Sequence, residues 1–183
     1  LGSPRMAEMV IGETVTLEEM GGARMHTSKS GCGHFLAKTD EEAIETGRRY
    51  LNYMPTNWRK GPPAGDSVLP ASDTPFDQIV PIDENQPFDM RELLDTLLDA
   101  DSFTQVHERW AKELIVGYGR LDGEVIGVVA NQPNQLSGVL DINASDKGSS
   151  FVRFCNAFNI PLLTLVDVPG FLPGVAQEHN GII

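Results

Sequence analysis

A chain of 183 residues with a formal net charge of −12 does not suit a nucleic-acid binder, whose Lys and Arg must neutralise phosphates. Apolar residues make up 40% of it, ordinary for a core-forming chain, and no apolar run nears the roughly 20 residues of a bilayer-spanning helix. Two cysteines, Cys32 and Cys155, cannot build a disulfide framework, and no signal peptide is visible, so a cytoplasmic setting is expected.

The chain begins at Leu1 rather than Met and stops at Ile183, in what reads as a helix start, which is expected of a piece of a longer protein. Residues 1–60 hold eight Lys/Arg and eight Asp/Glu, whereas residues 61–183 hold six and eighteen, so the acidic excess lies in the second part. That excess is most simply a solubility feature.

Taken in order, Thr16-Leu-Glu-Glu19 has the form of a capping box and Gly21-Gly22 that of a stop, which predicts one short helical turn over 17–20. The glycine-rich stretch from Gly21 to Gly33 fits neither helical nor strand period. Thr39-Asp-Glu-Glu42 opens a second helix, with Ala43, Ile44, Gly47, Tyr50, Leu51 and Met54 at helical spacing until Pro55 ends it. Residues 55–75 then carry Pro55, Pro62, Pro63, Pro70 and Pro75, with Gly61 and Gly65 between them. The domain boundary is placed here, with 1–60 one module, 61–75 a linker and 76–183 a second module.

In the second module Asp89-Met-Arg-Glu92 has the form of another capping box and leads into Leu93, Leu94, Leu97 and Leu98. The period then changes: residues 114–120 and 124–130 are β-rich runs joined by Leu121-Asp122-Gly123, which predicts a hairpin. Residues 146–158 read as a helix, and residues 162–168, almost wholly apolar, as a strand buried on both faces. Strand, helix and buried strand make a βαβ unit, so the second module is α/β.

Two stretches have the chemistry of a site. Residues Pro169, Gly170, Phe171, Leu172, Pro173 and Gly174 follow the carboxyl end of the last strand, where α/β sheets place their ligands. Their glycines permit close backbone approach, and an N–H pair held there could stabilise an oxyanion. A plain strand-to-helix connection is the commoner occupant of such a pattern. Gly21, Gly22, Ala23, Arg24, His26, Lys29, Ser30 and Gly31 combine glycine, hydroxyls and cations, as suits the phosphates of a cofactor, though an ordered surface loop would look the same. His26, Cys32 and His34 are too few for a structural zinc site, so no metal is expected. His107 and His179 have no evident nucleophile, and no Gly-x-Ser-x-Gly elbow occurs. The stretch Gly117-Tyr-Gly-Arg-Leu-Asp-Gly123 misses the dinucleotide fingerprint and is structural.

Several blocks together resemble one family. They are Thr16-Leu-Glu-Glu-Met-Gly-Gly-Ala-Arg-Met-His26 with Ser30-Gly31, Val128-Val-Ala-Asn-Gln-Pro133, Gly138-Val-Leu-Asp-Ile-Asn143, Phe151-Val-Arg-Phe-Cys155, and Asn159-Ile-Pro161 through Val166-Asp-Val-Pro-Gly-Phe-Leu-Pro-Gly174. Gln177-Glu178 and Gly181-Ile182-Ile183 continue the series. This order resembles the β, or carboxyltransferase, subunit of biotin-dependent acyl-CoA carboxylases such as propionyl-CoA carboxylase. Ser150 and Asn156 depart from the arginine and aspartate common there, and both lie in the predicted helix.

The resemblance implies a crotonase-like (ClpP/crotonase) superhelical βαβ fold, with 1–60 the end of one crotonase domain and 76–183 the start of a second. It implies transfer of a carboxyl group from carboxybiotin to the α-carbon of a short acyl-CoA, propionyl-CoA or acetyl-CoA being favoured. Carboxybiotin releases carbon dioxide, the biotin anion removes the α-proton, and the enolate attacks the carbon dioxide. Related decarboxylase and transcarboxylase subunits acting on methylmalonyl-CoA share these motifs, and an inactive binding or assembly fragment is the rival of another class.

By the same resemblance Gly21, Gly22, Ala23, Arg24, His26, Lys29, Ser30 and Gly31 belong to the CoA side. The stretch 169–174 belongs to the biotin side. The two oxyanion-hole segments would lie upstream of Leu1 and downstream of Ile183, so the catalytic residues are outside this stretch and the fragment alone is expected to be inactive. Biotin would arrive on a biotin carboxylase/biotin carboxyl carrier subunit, with a coenzyme A thioester as substrate and no metal in this chain. The full-length protein would be a dimer-built hexamer without nucleic-acid or membrane partners.

Overall fold

The computed structural model describes residues 2–183. Leu1, the first residue of the 1–60 module, lies outside the described residues. Four strands form one sheet in the order β1-β2-β3-β4, comprising Thr104–Val106, Leu114–Leu121, Glu124–Asn131 and Leu162–Leu165. The first three run antiparallel, and β4 pairs parallel to β3. Helix α7, Ile142–Ala157, makes the crossover from β3 to β4, so the expected βαβ unit is present.

The hairpin forms where its sequence places it. Leu121 pairs with Glu124, leaving Asp122 and Gly123 as a two-residue loop with φ of 53° and 80°. These left-handed values match the right-handed twist of the strands, and Asp-Gly tolerates them best. The carboxylate of buried Asp99 accepts from the N–H of Asp122 at 2.9 Å and of Gly123 at 2.8 Å.

Side-chain alternation along the hairpin divides the core between two faces. Leu114, Val116, Tyr118 and Val125 pack on one face with Ala144, Phe151 and Cys155 of α7. Ile115, Ile126, Val128 and Ala130 pack on the other with Met90, Leu94 and Leu98, from and just beyond α6, Met90–Leu97. A period of two in the strands thus meets a helical period on either side, giving helix, sheet and helix layers.

The amino-terminal module shares that core. Helices α1, Pro4–Ile11, α2, Leu17–Gly21, α3, Ala23–Ser28, and α4, Asp40–Leu51, precede the linker. Tyr53 is 5% exposed, stacks on Tyr118 at 5.7 Å and joins the face that α7 covers. Tyr50 and Phe35 extend this aromatic cluster. The linker is bound along its path: Gly65 N–H donates to Gly123 O at 2.9 Å, Arg120 Nη1 donates to Pro63 O at 2.9 Å, and Pro70 forms a bridge with Asp99.

Four sequence expectations are corrected. The glycine-rich stretch contains helix α3, because Gly22 lies at the α2–α3 boundary and the Thr27 hydroxyl donates to Ala23 O within the new turn. Helix α7 begins at Ile142 rather than 146, because Asp141 Oδ1 accepts from Ala144 N–H at 2.9 Å and caps it earlier. Asp89 caps α6 through Arg91 N–H, without a reciprocal bond from Glu92. Strand β4 ends at Leu165, and it is not buried on both faces, since Leu162 is 40% and Val166 72% exposed. Its alternate side chains, Leu162, Thr164 and, just past its end, Val166, are exposed on one face, so that face is left uncovered by the described residues, and β4 is also the edge strand of the sheet. Two short helices, α5, Phe76–Ile79, and α8, Val175–His179, complete the fold.

Candidate functional site

The residues expected on the CoA side form a compact double turn. Thr16 and Glu19 make the expected reciprocal capping box, which starts α2 and delivers Gly21 and Gly22 to the start of α3. His26 then faces back toward Gly21, and its Nδ1 lies 2.9 Å from Ser30 Oγ. Ser30 Oγ also accepts from Cys32 N–H at 3.3 Å, closing the loop that follows α3. Gly21, Gly22, Ala23, His26, Ser30 and Gly31 therefore come together. Arg24 and Lys29 extend to solvent, and neither is ion-paired among the described residues. His26 Nε2 is buried without a hydrogen-bond partner.

Gly31 shows why glycine is needed here. Its φ is +67°, and a Cβ would lie 2.6 Å from the Trp110 ring. The CoA-side loop is thus seated against residues 107–111 of the second module. His107 N–H donates to His34 O at 3.1 Å, and the two imidazoles meet edge to face at 4.3 Å.

The residues expected on the biotin side form a loop held at its middle. Leu140 N–H donates to Gly170 O at 3.2 Å, and Leu172 N–H donates to Leu140 O at 2.8 Å, so Phe171 bridges Leu140 as a short parallel pair. Asp167 N–H is held by Asn131 Oδ1 at 3.2 Å. Gly170 and Gly174 have φ of 151° and 147°, and no atom lies within 4 Å of a Cβ built at Gly170. Among the described residues neither glycine N–H has an acceptor, while the Leu172 N–H is used internally. Pro169, Phe171, Leu172, Pro173 and Gly174 are exposed. No hydrogen bond joins this loop to the CoA-side turn among the described residues.

Between the two stretches lies a buried polar group absent from the sequence-based site. Lys147 is 1% exposed, and its Nζ donates to the carbonyls of His107, Trp110 and Ala111 at 3.1, 2.9 and 3.1 Å. Burial pulls its pKa down to about 8, partly offset by Glu113. Glu113 is 4% exposed, and burial pushes its carboxyl up to about 7, reinforced by the facing Asp141. His107 falls to about 4 through burial, with His34 and Lys147 adding positive charge nearby. A cavity of about 200 Å³ opens beside Lys147, lined chiefly by His34, His107, Tyr50, Tyr118 and Phe154.

One signal could have disclosed this group. Lys147 falls on the buried stripe of α7 between Ala144 and Phe151, where a cation needs partners. No cluster of metal-ligating side chains occurs among the described residues. No helix is long and apolar enough to cross a membrane among them.

Residues 1–183 match the carboxyl transferase domain family. The chain is 50% identical over 184 residues to the uncharacterized carboxylase YngE of Bacillus subtilis, covering 100% of this chain and 36% of that protein. It is 49% identical to the propionyl-CoA carboxylase carboxyltransferase subunit of Haloferax mediterranei, covering 98% and 35%. The crystal structure of transcarboxylase 12S with hydrolyzed methylmalonyl-coenzyme A bound superposes with a TM-score of 0.93 at 42% identity, covering 100% and 36%. The chain spans about a third of the length of these curated relatives. Matched from end to end in sequence and backbone, it belongs to the carboxyl transferase domain family and has the mixed α/β fold of transcarboxylase 12S.

Proposed function

We propose that this chain is part of the carboxyltransferase component of a biotin-dependent acyl-CoA carboxylase, acting on propionyl-CoA or acetyl-CoA. The observation that carries the reading is the unbroken match over residues 1–183 to a family whose relatives include a propionyl-CoA carboxylase carboxyltransferase subunit at 49% identity. Residues 1–60 are the end of one crotonase-like domain, 61–75 a linker and 76–183 the start of a second. The protein works in the cytoplasm as a hexamer, with biotin carried by a partner subunit.

The residues fit these roles. Arg24 and Lys29 are exposed cations without ion-pair partners among the described residues, as an anionic CoA phosphate requires. His26, Ser30 and the glycines hold that turn in place rather than contact the reacting carbon. On the biotin side, Gly170 and Gly174 offer N–H groups that no described residue accepts, and their lack of a Cβ leaves room for close approach. Carboxybiotin supplies the carboxyl group when bound. Biotin bound there would meet the free Gly170 and Gly174 N–H groups. The biotin anion left by carbon dioxide release would take the acyl-CoA α-proton, and the enolate would then attack the carbon dioxide, with the oxyanion-hole donors supplied by segments of the full-length protein outside residues 1–183.

Transcarboxylase 12S, with methylmalonyl-coenzyme A named in its structure, favours a second reading in which the carboxyl donor is methylmalonyl-CoA. Both readings share the half-reaction, so one assay series separates them. The full-length protein is incubated with its biotinylated partner and propionyl-, acetyl- or methylmalonyl-CoA. Carboxylation of propionyl- or acetyl-CoA is expected, and absence of carboxyl transfer with every thioester overturns the proposal. Arg24→Ala combined with Lys29→Ala should raise the acyl-CoA KM with little change in kcat; an unchanged KM removes both cations from the CoA side.

A further inference from the structure

The two proposed half-sites share no hydrogen bond, yet both are tied to one helix. On one side the Lys147 ammonium gathers the carbonyls of His107, Trp110 and Ala111. His107 and Ala111 sit at φ of 54° and 45°, values that non-glycine residues resist. The Lys147 ammonium, with three donors, satisfies all three carbonyls of this strained turn at once. The loop so held carries the seat of the CoA-side turn, since Trp110 covers Gly31 and His107 N–H binds His34 O.

On the other side, the lead-in to the same helix holds the biotin-side loop, and its first turn holds the segment that follows that loop, residues 175–182. Leu140, just before α7, bonds Gly170 and Leu172; Ile142 N–H donates to Gln177 Oε1 at 3.1 Å; and Ser145 Oγ donates to Ile182 O at 2.6 Å. Ser145 and Lys147 are two residues apart, so an axial or rotational shift of α7 alters both attachments. Glu113 faces Lys147 and Asp141 from the start of β2, closing the buried group.

We infer that Lys147 is a positioning residue that sets the register of α7 and thereby holds the CoA-side turn and the biotin-side loop in one fixed relation. A lysine needed only for core stability would loosen the molecule generally. A register pin loosens these two stretches together.

The test uses the full-length protein and four variants. Lys147→Met keeps the length of the side chain without its charge, and Lys147→Arg restores the charge. Ser145→Ala cuts only the tie to Ile182, and Leu94→Ala weakens the core on the opposite face of the sheet. Amide exchange is followed at 29–34 and 170–182. Lys147→Met should speed exchange in both stretches by about tenfold, Lys147→Arg should largely reverse this, and Leu94→Ala should not reproduce it at an equal loss of stability. Ser145→Ala, which removes one hydroxyl and folds readily, should speed exchange at 170–182 alone.

Given that the stretches serve acyl-CoA and biotin as proposed above, Lys147→Met raises both KM values by about threefold or more, and Ser145→Ala raises only that for biotin. If the wild type transfers no carboxyl group, the proposed function falls, while exchange still judges Lys147. Acceleration confined to one stretch in Lys147→Met, or the same pattern in Leu94→Ala, refutes the positioning role. Should Lys147→Met not fold, Ser145→Ala still decides: unaltered exchange at 170–182 overturns the link between α7 and the biotin-side loop.

Discussion

Replacing Glu113 by Gln should stabilise the protein near neutral pH and leave it nearly unchanged in acid. Glu113 is 4% exposed, its Oε1 has no hydrogen-bond partner, and its carboxyl is raised from 4.5 to about 7 by burial and by facing Asp141. Below about pH 4.5 it is protonated in both folded and unfolded chains. Between 4.5 and 7 the folded protein keeps a proton that the unfolded chain has lost, so the stability this group contributes declines as pH rises and is gone above 7. At about 1.36 kcal/mol per pH unit, that difference amounts to roughly 3 kcal/mol. The Gln amide never ionises and avoids this loss. Its removal of a negative charge also withdraws support from the Lys147 cation, which trims the expected gain to about 2–3 kcal/mol at pH 7.5.

The assay is denaturant unfolding of both proteins at intervals from pH 4.5 to 7.5. His107, lowered to about 4, pushes stability the other way, upward with pH between about 4 and 6.5. It does so in both proteins, so the difference between them isolates Glu113. Lys147, lowered to about 8, begins to titrate only at the top of the range, where loss of the Glu113 charge favours its neutral form in the variant. A difference that stays flat across the range, or that favours the wild type at pH 7.5, refutes a buried ionising carboxyl at this position.

Gly31→Ala should cost about 2–4 kcal/mol by denaturant unfolding, combining a left-handed φ with a Cβ only 2.6 Å from the Trp110 ring. Gly12→Ala, at φ +70° with nothing within 4 Å, should lose no more than about 1–2 kcal/mol, and equal losses would dismiss the Trp110 seat. Asp99→Ala leaves the buried N–H of Gly123 and the neighbouring Asp122 N–H without their acceptor and should lower stability by about 2–3 kcal/mol. A loss under about 0.5 kcal/mol would show that water replaces the carboxylate.

Local chemistry made much of the fold legible. Asp122-Gly123 specifies its turn through two backbone angles, and Thr16 with Glu19 specifies the start of α2 through two hydrogen bonds three residues apart. Each signal is complete within a few residues. Helix α3 is hard to see in sequence because its six residues are too few to show an apolar period, Gly22 at its start gives no side-chain cap, and Thr27 closes the turn on its own backbone. Strand β1 is only three residues, Thr104–Val106, and takes its register from β2, so no window of its own could reveal it. The apolar run at 162–168 is ambiguous for a different reason. Such a run specifies a strand, but whether both faces are covered depends on which layers pack on them.

The same division runs through the candidate site. Glycine, cations and hydroxyls drew attention to 21–31, whereas glycines at the carboxyl end of a strand drew it to 169–174. What content cannot convey is how the stretches are held. Lys147 is separated from His107 by 40 residues and from Ala111 by 36, and nothing near it in sequence shows that three carbonyls converge on its ammonium. The only local trace is a cation on the buried stripe of α7. An unpartnered ammonium there would be expelled or neutralised, so its position between Ala144 and Phe151 requires acceptors before any are seen. The acceptors prove to be backbone carbonyls of a strained loop, which sequence patterns do not encode. Composition can nominate stretches for a site, whereas the proposed relation between the two rests on a buried charge whose partners only the folded chain assembles.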